Sequence, residues 1–322
     1  MKIRSPQKIL VFRNDRFGEF LLNIPAFRAI KESFPNSKLS VVVNSHLKEL
    51  AGSIKYINEV IEWNGQKHSL ADKIKLIKYL KKNSYDIAIM MNPSKEFNII
   101  AYLAGIPIRA GYDKKWGFLL NYKIKDNKFL GQEHEIDYNL ELVNLIGAKT
   151  EDKSLSLVIE NTILPEEIIP QNNEDFLVIH PWTSDPIKQW PIENFIALAK
   201  RIASELKIRT LIVGGNLEVK KSAGYWTNLG AGLITDITGK TSLLELAYIL
   251  KKSKLLISGD SGPVHLACAA HTPVIAIFRN DIQGKTAKRW GPWGQNNVVI
   301  EKSNLYDITV NEVFSKITGV LK

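Results

Sequence analysis

The chain of 322 residues contains one cysteine, three methionines and six histidines. A single cysteine excludes an internal disulfide and suits a reducing compartment. Cys268 lies in Leu266-Ala267-Cys268-Ala269-Ala270, where a small buried filler is expected, not a nucleophile. No run approaches the ~18 uncharged apolar residues of a membrane span. The start, Met1 to Lys8, lacks an apolar secretory segment, so a cytoplasmic protein is expected. There is no G-x-G-x-x-G turn, which disfavours a nicotinamide-dependent oxidoreductase built on two nucleotide folds. No H-x-x-x-H pair and no D-x-D occurs either, so no metal site is expected. The nearest acidic cluster, Glu133-His134-Glu135-Ile136-Asp137, reads as the acidic first turn of a helix over 138–145.

The 45% hydrophobic and 24% charged fractions are ordinary for a globular protein. Length favours two α/β domains. The net charge of +10 is unevenly placed: residues 1–150 hold 24 Lys and Arg against 15 Asp and Glu, and the remainder is nearly balanced. An anionic partner for the first half follows. Nucleic acid is the reflex reading of such a charge, but no reader motif or interleaved aromatic–basic platform is present.

Lys8-Ile9-Leu10-Val11-Phe12 is a continuous apolar run of the kind buried on both faces of a parallel sheet. A helix is expected from about 20 to 34, strands at 39–43, 60–63 and 87–90, and a Lys-rich helix over 70–82. Around Pro165, Pro170 and Gln171-Asn172-Asn173 the pattern breaks. That stretch is the expected linker between domains 1–165 and 174–322. The rhythm then restarts through strands at 176–179, 210–213, 255–258 and 274–278. A last helix near 310–321 could pack back on the first domain. The fold expected is α/β, two doubly wound parallel-sheet domains.

Three loops gather polar groups where a strand hands over to a helix, the usual ligand position in open α/β sheets. The first is Arg13-Asn14-Asp15-Arg16-Phe17-Gly18-Glu19, with Glu19 at or near a helix start. The second runs from His180 to Phe195 and offers the Thr183 and Ser184 hydroxyls and the Lys188 ammonium ahead of Pro191. The third is Ser258-Gly259-Asp260-Ser261-Gly262-Pro263-Val264-His265, where small residues let backbone N–H groups approach an anion. Each also has a plainer reading: charge complementarity to a helix dipole, a solvated lysine, or Ser261 as an ordinary helix cap with His265 packed behind it.

Together, in this order and spacing, these loops resemble the bacterial lipopolysaccharide heptosyltransferases of glycosyltransferase family nine. The likeness includes Pro25, Arg109-Ala110-Gly111-Tyr112, His134 leading a helix that ends at Gly147, K-x-W-P-x-x-x-F at 188–195, and D-[S/T]-G-P-x-H-L-A at 260–267 followed by Thr272-Pro273-Val274. It implies a GT-B architecture, with two Rossmann-like domains facing each other across a cleft, and an inverting enzyme that takes ADP-heptose. It places Glu19 where the family usually has Asp as general base, and Lys188 beside the departing diphosphate. Donor contacts fall to Thr183, Ser184, Lys188, Thr241, Asp260, Ser261, Gly262 and His265, and acceptor contacts to Arg13, Arg16 and Gly18. Trp182 and His271 stand where the family often has glycine.

The reaction implied is a single displacement: Glu19 takes the acceptor proton while the acceptor oxygen attacks the anomeric carbon. An ordinary carboxylate, near pKa ~4.3, is a weak base that gains force as that proton becomes acidic in the transition state. The basic first half suits an anionic glycolipid acceptor such as the lipopolysaccharide inner core. The helix at 70–82, with Lys73, Lys75, Lys78, Lys81 and Lys82, could rest on the cytoplasmic face of the inner membrane. Alternatives are another nucleotide-sugar donor, or a non-catalytic binding protein of the same fold.

Overall fold

The computed structural model describes residues 6–64, 68–160, 164–165, 168–169, 174–227, 229 and 232–321. Pro170 and residues 171–173, the centre of the expected linker, lie outside these. The chain forms two compact units, Met1–Ser154 and Leu155–Lys322. The boundary therefore precedes the linker read from the sequence. A broken apolar period marks the end of regular structure, whereas Leu155 and Leu164 are buried and the Lys251 ammonium binds the Ile159 carbonyl at 3.2 Å.

The first unit runs β1 (Lys8–Phe12), α1 (Phe17–Leu21), α2 (Ile24–Ser33), β2 (Lys38–Val43), α3 (Lys48–Gly52), β3 (Glu59–Glu62), α4 (Leu70–Asn83), β4 (Ile87–Met90), α5 (Lys95–Leu103), β5 (Ile108–Tyr112), β6 (Tyr122–Ile124) and α6 (Glu135–Asn144). Its six strands are ordered β3-β2-β1-β4-β5-β6, all parallel. Strands buried on both faces explain the unbroken apolar runs. Phe12 and Phe97 stack at 4.5 Å between centroids, and each such buried ring contributes roughly 1.5–3 kcal/mol.

The single helix expected after β1 is two. Pro25, in the first turn of α2, has no N–H to continue the ladder from α1, and its ring disfavours an unbroken turn there. The Asn23 side chain takes up the exposed carbonyls of Glu19 at 2.7 Å and Phe20 at 3.3 Å.

The second unit runs β7 (Phe176–His180), α7 (Ile192–Arg201), β8 (Arg209–Ile212), α8 (Val219–Ser222), β9 (Ile234–Asp236), α9 (Leu243–Lys252), β10 (Leu255–Gly259), α10 (Gly262–Ala269), β11 (Val274–Arg279), α11 (Ala287–Trp290), β12 (Val298–Lys302) and α12 (Val310–Val320). The order is β12-β11-β10-β7-β8-β9, again parallel. The last helix sits in this unit's own core through Val313, Phe314 and Ile317. Trp190 is fully buried there and donates its indole N–H to the Ile308 carbonyl at 2.9 Å. Phe195 meets it edge-on at 4.7 Å. Of the K-x-W-P-x-x-x-F segment, Trp and Phe are thus anchors that hold the lysine's loop in place.

Both sheets have a topological switch point, between β1 and β4 and between β7 and β10, and polar loops open at the carboxyl ends of those strands.

Candidate functional site in each unit

In the first unit the turn after β1 is organised around Arg13. The sequence reading assigned Arg13 to the acceptor, but the side chain is 1% exposed and points inward. Its guanidinium pairs with Asp15 at 2.9 Å, Glu19 at 3.6 Å and Glu135 at 4.0 Å, and donates to the carbonyls of Met91 and Glu19. Burial opposes its charge, yet the three carboxylates outweigh that and hold its pKa above the ordinary value. Arg13 therefore ties the turn to Met91 and Glu135. Arg16 stays exposed, and Gly18 is buried in α1.

Glu19 lies in the first turn of α1, as expected. Its carboxyl is far from ordinary. Burial pushes its pKa up to about 8, helped by the hydrogen bond to Asp15 and that group's charge, against the pull of Arg13 and Arg16. Asp15 is held from its other side by the Asn92 amide at 3.2 Å.

Glu135 was read as one charge of an acidic helix start. It does open α6, where His134 accepts a bond from the Ile136 N–H. However, it is buried and bound to Lys128 at 2.6 Å. Lys128 also reaches Asn139 and lies over the Tyr112 ring, and Asn139 donates to the Leu22 carbonyl. A polar chain thus runs from the turn after β1 to α6, and nothing local in the sequence marks Lys128 as its member.

Beside this turn is a cavity of ≈ 600 Å3 whose lining includes Asn14, Asp15, Arg16, Asn44, His46 and Trp63. Trp63 forms one wall, stacked on His68 with centroids 4.0 Å apart. Glu96 fixes both rings, accepting from the Trp63 indole at 2.9 Å and lying 2.7 Å from His68 Nδ1. Burial lowers the His46 pKa. Of this lining the sequence points to Asn14, Asp15 and Arg16 but not to Asn44, His46, Trp63, His68 or Glu96, which follow three other strands.

In the second unit the loops after β7 and β10 meet. Lys188 and Asp260 pair at 2.5 Å. A side chain at Gly259 would stand 3.2 Å from Thr183 Cγ2 and 3.6 Å from the Lys188 carbonyl. Thr183 is braced by Asp185 and Gln189, and Ser184 is exposed. The parallel register sets Ser258 opposite His180, and Ser261 closes a triangle with them, at 3.2, 3.1 and 2.8 Å. Burial pushes the His180 pKa down to about 3, so the ring is neutral.

This triangle has a consequence for α10. Ser261 occupies the cap position, yet its side chain makes no cap hydrogen bond. The plainer reading of Ser261 as an ordinary cap is therefore not what the structure shows. Its hydroxyl is directed to His180 instead, and the start of a helix without a side-chain cap favours an anion. His265 is buried at 4% exposure. Thr241 lies half-buried between β9 and α9, after Gly239 in a left-handed conformation. Trp182 is buried against Gly214, where any side chain would stand 2.8 Å from the indole. Among the described residues no three His, Cys, Asp or Glu side chains gather as metal ligands.

Two doubly wound units, each presenting charged groups at its switch point, make up a glycosyltransferase of the GT-B class. The chain belongs to glycosyltransferase family 9 (heptosyltransferase), whose model matches residues 73–313. Among its relatives is the lipopolysaccharide core heptosyltransferase OpsX of Haemophilus influenzae, 25% identical over 286 residues, covering 85% of this chain and 79% of that one. The fold is shared with a family 9 glycosyl transferase from Veillonella parvula (TM-score 0.83, 19% identity, 100% of this chain and 98% of that one). It is also shared with the Escherichia coli heptosyltransferase WaaC solved with ADP-2-deoxy-2-fluoro heptose (TM-score 0.75, 19% identity, 97% and 99%).

Proposed function

We propose that the chain transfers heptose from ADP-heptose to a hydroxyl of a lipopolysaccharide core or related glycan, with inversion and without a metal ion. The observation that carries this reading is the convergence of Lys188, Asp260 and Thr183 beside the α10 start that no side chain caps. A diphosphate there meets an ammonium, hydroxyls and backbone N–H groups, which supply the charge compensation a divalent cation would otherwise give.

The Glu19 carboxylate takes the acceptor O–H proton as the acceptor oxygen bonds to the anomeric carbon. The bond from that carbon to the diphosphate oxygen breaks, and ADP leaves from the opposite face. Glu19, raised to about 8, is a stronger base than an ordinary carboxylate once ionised, and sits closer to neutral pH than the sequence reading assumed. Arg13 and Asn92 keep Asp15 in place beside it. The cavity walled by Trp63 and His68, with Arg16 and amides at its rim, suits an acidic acceptor sugar: an aromatic face for the ring and donors for carboxylate or phosphate. Such a glycolipid is met at the cytoplasmic face of the inner membrane, so peripheral contact with that leaflet belongs to the reading. No helix among the described residues is long and apolar enough to cross a membrane.

A thermal-shift panel of nucleoside diphosphates and their sugars, with and without EDTA, tests the proposal. Stabilisation specific to ADP and its heptose and insensitive to chelator is expected. A preference for UDP or GDP, or loss of the effect in EDTA, defeats the donor or the metal-free claim respectively.

A further inference from the structure

We propose that the first unit docks on an anionic bilayer through an aromatic strip: Tyr102 and Leu103 at the end of α5 with Trp116 and Phe118 in the loop after β5. This rests on the membrane-linked acceptor proposed above and names the docking surface. The four side chains are 52, 54, 45 and 71% exposed, an apolar grouping that a soluble surface seldom leaves open without use.

Three contacts tie these residues to α5 or to its end. The Lys95 ammonium lies 4.1 Å over the Trp116 ring. The buried Asn98 amide holds the Lys115 carbonyl at 3.1 Å. One turn on, Arg109 lies 5.5 Å from the Tyr102 centroid while donating to the Leu119 carbonyl at 2.8 Å. Trp116 and Phe118 are themselves 5.7 Å apart.

The display is built, not incidental. Lys115 and Trp116 both hold left-handed backbone conformations, at φ 49° and 69°, a state that persists only where surroundings enforce it. The turn is close-packed at the next residue, where a side chain at Gly117 would stand 2.6 Å from Asp113 Oδ1 and 3.3 Å from the Tyr112 carbonyl.

Charge selects the occupant. Asp113 and Asp126 are paired to Lys123 and Lys114, so Lys95, Arg109 and Lys115 carry the strip's positive charge. Aromatic rings at headgroup depth flanked by cations are the composition of a membrane-interface anchor. The basic excess of residues 1–150 adds attraction to anionic lipid, and it disfavours a second copy of the same basic face. The Lys-rich α4, to which the sequence pointed, is less suited. Its Leu76 and Leu80 are buried and Ile77 packs on the core; Leu70, Ile74 and Tyr79 stay exposed beside its lysines, but the Tyr79 hydroxyl is held by Glu59 and the helix presents no tryptophan or phenylalanine.

The test is co-sedimentation of the full chain with phosphatidylethanolamine/phosphatidylglycerol vesicles and with phosphatidylcholine vesicles. Wild type should favour the anionic vesicles. W116S/F118S should lose about tenfold or more in partitioning, and K78Q/K81Q/K82Q on α4 less than that. The proposal is overturned if wild type ignores anionic vesicles, if W116S/F118S binds as wild type does, or if the α4 variant loses more. It is also overturned if W116S/F118S dissolves a lipid-free dimer. Heptose transfer to a delipidated, water-soluble core glycan should proceed equally in wild type and W116S/F118S. Absence of that transfer in wild type defeats the functional reading and leaves the vesicle result standing.

Discussion

The two units solve the problem of placing charge at a strand edge in opposite ways. In the first, three carboxylates crowd a buried arginine and one of them, Glu19, is driven toward its neutral form. In the second, the groups around Asp260 after β10 are small or neutral, and an ion pair, Lys188 with Asp260, stands by a helix start that no side chain caps. In the proposed function the first arrangement tunes the proton affinity of a base and the second seats an anion. One sheet topology, used twice, thus carries two chemistries because the loops differ and the strands do not.

Substitutions can break this contrast from either side. Arg13→Leu should have the largest effect, removing the shared counter-charge of a buried cluster at a cost of roughly 3–5 kcal/mol, read as a lower urea midpoint. Glu19→Gln should cut turnover by ~10²-fold or more while ADP still raises the melting temperature. A variant with near-normal turnover removes Glu19 from the role of base.

The pH dependence sharpens this second test. With its pKa raised from 4.5 to about 8, Glu19 ionises as pH rises, so kcat/KM should climb toward a plateau above that value. Asp15→Asn removes one cause of the shift and should move the climb to lower pH. The same shift has a stability consequence of fixed sign: the folded chain holds a proton that the unfolded chain releases above 4.5. The contribution is full below that pH and is lost as pH rises through about 8, a slope that Glu19→Gln should flatten in pH-dependent melting.

On the second unit, Lys188→Met should weaken ADP binding by ~10–100-fold, since the diphosphate loses an ammonium and Asp260 loses its pairing with Lys188. Restoring part of that affinity with Asp260→Asn, by titration calorimetry, separates lost attraction from new repulsion. Gly214→Ala should have the smallest effect, about 1–3 kcal/mol of overpacking against Trp182 and Thr238. In a Trp182→Gly background, which opens that space at its own cost, the additional loss from Gly214→Ala should shrink, read in the thermal midpoint.

Much of this was readable from residues in a row. The strand Ile87–Met90, the placing of Glu19 in a first helical turn and the loop at Asp260–Gly262 follow from apolar runs and helix-start chemistry. The short elements β6, β9 and α11 lack the apolar run that marks β4 and carry too little periodicity to be seen. The break at Asn23 needed the side chain's capture of carbonyls as well as Pro25. What was illegible in the site is what depends on distant partners. Arg13 meets Glu135, and Glu135 meets Lys128, only once β4, β5 and β6 have been added beside β1 and α6 has folded back. The elevated proton affinity of Glu19 is a property of that assembled surrounding.

Cys268 has a practical consequence. It lies inside α10 at 7% exposure, and burial pushes its thiol up to about 12, so at neutral pH almost no thiolate is available to react. The native chain is therefore a nearly silent background for maleimide chemistry. A cysteine introduced at an exposed position, such as Ser184 by the proposed anion seat or Lys114 beside the aromatic strip, would be the one labelled point, and a fluorophore there would report ligand or lipid without any cysteine-free variant having to be made first.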